Sequence, residues 1–274
     1  MRIVLLSLIL WLPTLVRAQI TLQAYRDSVY LRSTRIDYAS AELDRSQSEL
    51  GRAKRGFLPS LSAAGSFTTD LRHTSVGERW GFALQPRVEQ TIYAGGAVRA
   101  AYRRAQTQAE SSSEGLRQTW LEVRYEADVA YWTLSAMQLY VASTEEYVSI
   151  VSSLYDVVNE RYREGYVAKS DVLQVEARLS EARYALIEIR NDYDVAQHRF
   201  YNLLGEEQTS QGGVELGNSI LDSMAMPERV GVEELLLRRP DVVRSELSVG
   251  IAEQGVKVAK SAFNPRLTAS IGSS

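Results

Sequence analysis

From Leu116 to Tyr162 the apolar and aromatic residues step by four and three in alternation without a slip. The row runs Leu116, Trp120, Val123, Ala127, Ala130, Leu134, Met137, Val141, Thr144, Val148, Val151, Tyr155, Val158 and Tyr162, and only Thr144 is neither apolar nor aromatic. This rhythm keeps one edge of an α-helix turned toward a partner helix, so it predicts a coiled-coil seam. The helix is expected to begin near Ala97 and end near Arg163, a rod of roughly 100 Å at 1.5 Å per residue. Ordinary globular helices seldom exceed about 20 residues, so this stretch constrains the fold more than any other.

A turn is expected at Glu164-Gly165-Tyr166-Val167, where Gly165 suits the left-handed conformation that ends a helix. Ser170 or Asp171 is positioned to cap the helix that follows. A second seam then runs through Val172, Val175, Leu179, Ala182, Leu186, Ile189, Tyr193, Ala196, Phe200 and Leu203, stopping at Leu204-Gly205. Two seamed helices joined by a short turn pack antiparallel. Trp120, Tyr155 and Tyr162 sit within the seam, so they are expected to pack in the core rather than stack on a ligand.

Upstream, residues 21–57 show helical character until Phe57-Leu58-Pro59, where proline disfavours helix at the preceding residue. Two strands are expected next, Leu61 to Arg72 and Trp80 to Tyr93, joined by a polar loop over His73 to Arg79. In the second strand Trp80, Phe82, Leu84, Pro86, Val88 and Ile92 alternate with Gly81, Ala83, Gln85, Arg87, Glu89 and Thr91. Period two sends these sets to opposite faces of a sheet. Gly95-Gly96 punctuates its end. Downstream, residues 205–230 show no clean period and read as irregular, with room for one short strand. A short helix follows over Val232 to Arg238, stopped by Pro240, and a longer one over Asp241 to Phe263.

The chain contains no cysteine, which excludes disulfides, thiolate metal sites and lipid attachment to cysteine. A formal net charge of -3 without any basic block argues against nucleic acid as a partner. Residues 1–18 read as a signal peptide: Arg2, then the apolar run Ile3 to Leu12, then Val16 and Ala18 before a cleavage point at Gln19. A membrane anchor is the other reading, but the run falls short of the ~20 residues a helical span needs.

The end of the chain repeats an earlier stretch. Ala53, Lys54, Phe57, Pro59, Leu61, Ala63 and Gly65 match or nearly match Ala259, Lys260, Phe263, Pro265, Leu267, Ala269 and Ile271, at a constant offset of 206. Helix, proline, strand thus occurs twice, and such repeats bound the fold before any other consideration. Residues 19–230 are expected to form a first structural repeat of helix, two strands, helical hairpin and irregular segment. Residues 231–274 would open a second repeat, which the chain leaves inside its first strand.

On these residues the chain resembles the TolC-like outer membrane efflux proteins. Ala53-Lys54 with Phe57 to Leu61 resembles the family's helix-to-strand junction, and Gln90 to Gly96 its strand-to-helix exit, with Ala94 where many members have Asp. Arg161-Tyr162, Gly165 to Val167 and Ser170 to Leu173 resemble the hairpin tip. Arg239-Pro240-Asp241 with Ala259 to Leu267 resembles the opening of the second repeat in members serving RND-type pumps. The departure is Leu31 to Thr34, where many members have Asn-Pro; it puts a local helix break in doubt.

The resemblance implies a mainly α fold with membrane β: long antiparallel coiled-coil helices forming an α-barrel, plus strands of a trimeric outer-membrane β-barrel. It implies a homotrimer in the outer membrane of a Gram-negative bacterium, with most of the chain periplasmic. Its partners would be a periplasmic adaptor protein, an inner-membrane RND or ABC pump, and outer-membrane lipid. The duct would conduct substrates passively, with no enzyme activity, cofactor or metal. Gly165, Tyr166 and Val167 would be the adaptor-docking tip. Ser170 and Asp171 would be either a gate latch or a helix cap. Gln85, Arg87, Glu89 and Thr91 would line water inside the barrel. His73 and His198 are expected to be structural. A periplasmic adaptor also has a long helical hairpin and is the alternative, although it requires lipoyl-like β-segments that the strand pattern and the repeat do not supply. A secreted coiled coil without membrane strands is a third possibility, against which the same features argue.

Overall fold

The computed structural model describes residues 19–69, 80–205, 214–222 and 229–272. The expected signal peptide, the loop over His73 to Arg79, the last residues of the first expected strand, and parts of the irregular stretch 205–230 lie outside the described residues. The elements are helices α1 (Leu22–Arg32) and α2 (Thr34–Arg55), strands β1 (Ser60–Thr69) and β2 (Trp80–Ala94), and the long helix α3 (Ala97–Arg163). They continue with α4 (Lys169–Leu203), α5 (Val232–Arg238), α6 (Pro240–Lys260), a 3₁₀ turn (Ser261–Phe263) and β3 (Arg266–Gly272).

The first expected helix is two helices. Ser33 leaves the helical region with φ -77° and ψ 102°. Arg239, 206 residues later, adopts nearly the same conformation, φ -80° and ψ 118°, between α5 and α6. Only the second break is followed by a proline, Pro240, at the first helical position. The first copy therefore keeps the break without Pro. At the other end of α2, Gly56, Phe57 and Leu58 donate to the carbonyls three residues back, unwinding the helix ahead of Pro59.

The chain divides into two compact units, residues 1–33 with 121–227 and residues 34–120 with 228–274. In the first, the seam forms as its spacing requires. Val123, Ala127, Ala130, Leu134 and Val151 on α3 are buried, as are Val172, Leu179, Ala182, Ala196 and Phe200 on α4. Arg190 of α4 reaches Glu145 of α3 at 2.6 Å across the seam. Trp120, the second position of the seam, and Tyr162, its last, stay 40% exposed rather than joining the core; aromatic rings tolerate half-burial. The centre of this unit is aromatic: Tyr25, Tyr131 and Phe200 are all fully buried.

Helix α4 has no basic residue in its last turn, and its final carbonyls lack partners within the helix. Helix α1 supplies them. The Tyr25 hydroxyl donates to the Phe200 carbonyl at 3.0 Å, and the Arg32 guanidinium donates to the Leu204 carbonyl at 2.7 Å. Arg32 also places positive charge where the helix dipole favours it. Beside it Arg26 clamps Asp128 of α3 through two bonds of 2.5 and 2.7 Å. Among its described residues the irregular stretch holds no strand, only an isolated parallel bridge between Ile20 and Leu216. Tyr131 ties this bridge down, donating to the Ile20 carbonyl at 2.8 Å and accepting from the Asn218 N–H at 3.0 Å.

In the second unit the sheet order is β1-β2-β3, with both pairings antiparallel. The two copies of the repeated strand, β1 and β3, thus flank β2. Gly95 makes the strand-to-helix turn at φ +60°, and a Cβ there would lie 2.6 Å from both Asn264 Cβ and the Ser261 carbonyl oxygen. Glycine is required at this crossing by conformation and by space. The Asn264 amide closes it with a 3.2 Å bond to the Gly95 carbonyl.

Candidate functional site

Paired residues in an antiparallel ladder point the same way, so the register sorts the sheet into two faces. Leu61 lies opposite Val88, Gly65 opposite Leu84 and Phe67 opposite Phe82, and Ile271 extends the same row beyond Val88. On the other face Ser62, Arg87 and Gly272 line up, as do Ser60, Glu89 and Ser270. Gln85, Arg87, Glu89 and Thr91 therefore share one polar face, as their spacing predicts. On the apolar face Leu61 is 77% exposed, Phe82 66% and Ile271 82%.

Fully burying one such side chain is worth about 1.5–3 kcal/mol. Leaving the whole row in water would forgo on the order of 10 kcal/mol, comparable to the net stability of a typical domain. The apolar face must therefore meet another apolar medium. Among the described residues the outer edges of β1 and β3 also lack a neighbouring strand. Open edges do not survive in hydrocarbon. The ten residues of β1 match the ~9–11 needed to cross a bilayer core when tilted.

One assignment changes. A register shift falls between Thr91 and Tyr93, where Tyr93 pairs with Leu267. Ile92 is the extra residue of a β-bulge, and Tyr93 takes the next place in the apolar row. Strict alternation put Ile92 there. Sequence patterning also left the apolar row of β1 unread, because Leu61 and Phe67 are separated on that face by the small Ala63 and Gly65, and Ala64 interrupts the polar face.

At the hairpin tip Gly165 has φ +82°. The Tyr166 N–H donates to the Arg161 carbonyl at 2.9 Å and the Gly165 N–H to the Tyr162 carbonyl at 3.0 Å. This pair of bonds is a Schellman ending for α3. It leaves Tyr166 77% exposed beyond the helix end. Helix α4 starts at Lys169, two residues earlier than a Ser170 cap requires and three earlier than an Asp171 cap, with Ala168 at the capping position. Asp171 still helps to close the helix, since its carboxylate accepts from the Ala168 N–H at 3.1 Å, the reciprocal half of a capping box. The Ser170 hydroxyl turns to Asp171 Oδ1 at 3.5 Å and caps nothing.

A second row on the hairpin escaped the sequence reading. Tyr147, Ile150, Leu154 and Val157 each precede a seam position by one residue, and they are between 46% and 60% exposed. The signal was available as doublets: Tyr147-Val148, Ile150-Val151, Leu154-Tyr155 and Val157-Val158. A helix with two adjacent heptad rows is shaped to contact two neighbours.

His198 is exposed on α4, and among the described residues no three His, Cys, Asp or Glu side chains cluster as metal ligands. An open groove of about 510 Å³ lies between α2, α3 and α6, lined by Tyr38, Glu42, Ser111 and Arg244 among others. Arg244 is held there by Gln118 at 2.8 Å. No described helix is long and apolar enough to cross a membrane, which leaves the sheet as the candidate membrane element.

These features have counterparts among known proteins. In solved structures, the outer membrane protein VceC of Vibrio cholerae covers 92% of this chain and aligns over 61% of its own length, with a TM-score of 0.77 at 18% identity. The fusaric acid resistance protein FusA of Burkholderia cepacia is 26% identical over 164 residues, 60% of this chain and 31% of FusA. The toluene efflux pump outer membrane protein TtgC of Pseudomonas putida is 24% identical over 185 residues, 65% of this chain and 38% of TtgC. The chain thus matches about a third of these two relatives' length. The model of the outer membrane efflux protein family matches residues 17–206, which takes in α1 through α4 with β1 and β2 between them. With its helical hairpin, its two-faced sheet and that match over more than half its length, the chain belongs to the outer membrane efflux protein family.

Proposed function

We propose that the chain is a channel subunit of the Gram-negative outer membrane, conducting substrates passively from the periplasm to the exterior. The observation that carries this reading is the sheet, with an exposed apolar face on one side and Gln85, Arg87, Glu89 and Thr91 on the other. A barrel wall needs this division, lipid outside and water inside. Three strands with open edges cannot close, so the wall is completed by further strands and further copies, a homotrimer in this reading. The second exposed row on α3 provides the helices with a lateral neighbour in the same assembly.

The duct works as the last part of a tripartite efflux or type I secretion system. A periplasmic adaptor docks at Gly165, Tyr166 and Val167, and an inner-membrane RND or ABC pump supplies the energy. TtgC is by name the outer membrane protein of a toluene efflux pump, which supports export as the task. The chain performs no catalysis and needs no cofactor. Asp171 both closes helix α4 and takes part in keeping the tip shut. An adaptor would share the hairpin but has no use for a sheet with one lipid-compatible face.

The test is conductance. The protein, extracted from outer membranes in detergent and added to a planar lipid bilayer, is expected to give discrete channel currents. A protein that leaves the membrane fraction in aqueous buffer as a monomer, and gives no current, would overturn the reading.

A further inference from the structure

The polar face of the sheet is paved mostly with short side chains. Arg87 lies opposite Ser62 and Gly272, and Glu89 opposite Ser60 and Ser270. Arg87 and Glu89 stand two residues apart on β2, about 7 Å along the strand, so their fields largely offset each other. Arg266 has no such compensation. It lies opposite Ala94 on the same polar face, four residues along β3 from the Ser270–Glu89 pair. That separation is roughly 13 Å, beyond the ~8 Å screening length at physiological salt. Arg266 is exposed, and no acidic partner engages it among the described residues.

The repeat sharpens the point. At the offset of 206, Arg266 occupies the place that Ser60 holds in the first copy. The charge therefore belongs to one half of the repeat and is not required by the fold. Its backbone is also well anchored. Pro265 precedes it, and Asn264 is bonded to both the Ser261 carbonyl, at 3.1 Å, and the Gly95 carbonyl, at 3.2 Å. The Arg266 backbone is thus held at the sheet end next to the start of α3.

We infer that Arg266, contributed once by each chain, forms a cationic collar on the water side of the barrel wall that draws organic anions, carboxylates and sulfonates above all, into the duct. This rests on the channel reading above. A guanidinium stays charged, is weakly hydrated and matches a carboxylate with two parallel bonds. A low-dielectric wall around it concentrates its field and raises the local concentration of counter-ions. Glu89 stands two ladder rows further along β2, and Arg87 offsets its charge there, so removing the Glu89 carboxylate would leave Arg87 to add to the collar's field.

The experiment is ion selectivity of the protein in bilayers of zwitterionic lipid under a potassium chloride gradient. Arg266→Gln is expected to lower the chloride-to-potassium permeability ratio at least about twofold, Arg266→Lys to retain it, and Glu89→Gln to raise it. The difference should fade as salt rises and screening shortens. Channels whose ratio is the same with Arg266 and with Gln overturn the collar and leave the channel reading standing. If the wild-type protein gives no channels, both fall. Should Arg266→Gln fail to assemble, Arg266→Cys decides, because the chain has no other cysteine. A cationic thiosulfonate reagent should then restore the anion preference and an anionic one invert it; indifference to both reagents overturns the collar.

Discussion

The hydroxyl of Tyr25 donates to the carbonyl of Phe200 at 3.0 Å while their rings stack at 4.1 Å and 12°. Burial pushes the Tyr25 phenol well above its ordinary range. A neutral phenol favoured by the fold stabilises it fully below the unfolded value of about 10 and progressively less above it, since the unfolded chain then releases a proton that the folded one retains. Thermal stability should therefore fall as pH rises past about 10. Tyr25→Phe should cost about 1–2 kcal/mol at neutral pH, from the stranded carbonyl, and should blunt the alkaline fall. Tyr131, whose phenol burial also raises, would sustain the remainder. Melting followed by circular dichroism across pH checks both effects.

Gly95 and Gly96 both have positive φ, but only Gly95 is crowded, by Asn264 and Ser261. Gly96→Ala should cost about 1–2 kcal/mol from backbone strain alone. Gly95→Ala should cost more, because the strand-to-helix turn must also move away from the 3₁₀ turn. The comparison is read as the difference in melting temperature of the detergent-solubilised protein. Equal losses would mean that the crossing is looser than its geometry indicates.

Arg26 and Asp128 are mostly shielded, with side-chain exposures of 18% and 26%. A bidentate pair so placed should show a coupling of about 1–3 kcal/mol in a double-mutant cycle of Arg26→Gln and Asp128→Asn. Salt should weaken it less than it weakens the more exposed Arg190–Glu145 pair, whose side chains are 56% and 47% exposed.

Leu134 and Ile150 separate the two rows of α3. Leu134 is fully buried, and Leu134→Ala should cost about 2–5 kcal/mol in the hairpin itself. Ile150 is 60% exposed. Ile150→Ser combined with Val157→Ser should leave the melting of the isolated chain nearly unchanged, yet reduce the cross-linked trimer. A trimer that forms normally would remove the second row from the assembly.

Asp171 has two roles that one pair of substitutions separates. Asp171→Asn keeps an acceptor for the Ala168 N–H and removes the charge, while Asp171→Ala removes both. If the carboxylate charge latches the tip, both variants should admit a large antibiotic at normal expression. If only Ala does so, by the loss of about 1 kcal/mol of capping, the residue acts through the helix end alone.

Periodic segments were the most legible in the sequence. The end of α3 at Arg163 coincides with the end of its heptad pattern, because one seam position every three or four residues over-determines a rod, while its start at Ala97 precedes the first seam position and follows the Gly95-Gly96 break. The helix break at Ser33 was harder to see, since the proline that follows the matching break at Arg239 has no counterpart after Ser33. The bulge at Ile92 shifts a register that only the partner strand β3 reveals. The polar face of β2 was readable from alternation alone, whereas the isolation of Arg266 depends on what stands opposite it across the ladder. The cap on α4 was also invisible locally, because its donors, Tyr25 and Arg32, lie more than 160 residues away in the chain.

That last arrangement bears on the order in which the protein can be made. A ribosome releases Tyr25 and Arg32 long before the carbonyls of Phe200 and Leu204 that they serve. The hairpin can zip from its own turn as soon as α4 emerges, yet the Phe200 and Leu204 carbonyls at its foot gain their side-chain donors only when the earliest helix docks there. The hairpin thus has one end finished by its own turn and another finished only when the beginning of the chain meets its middle.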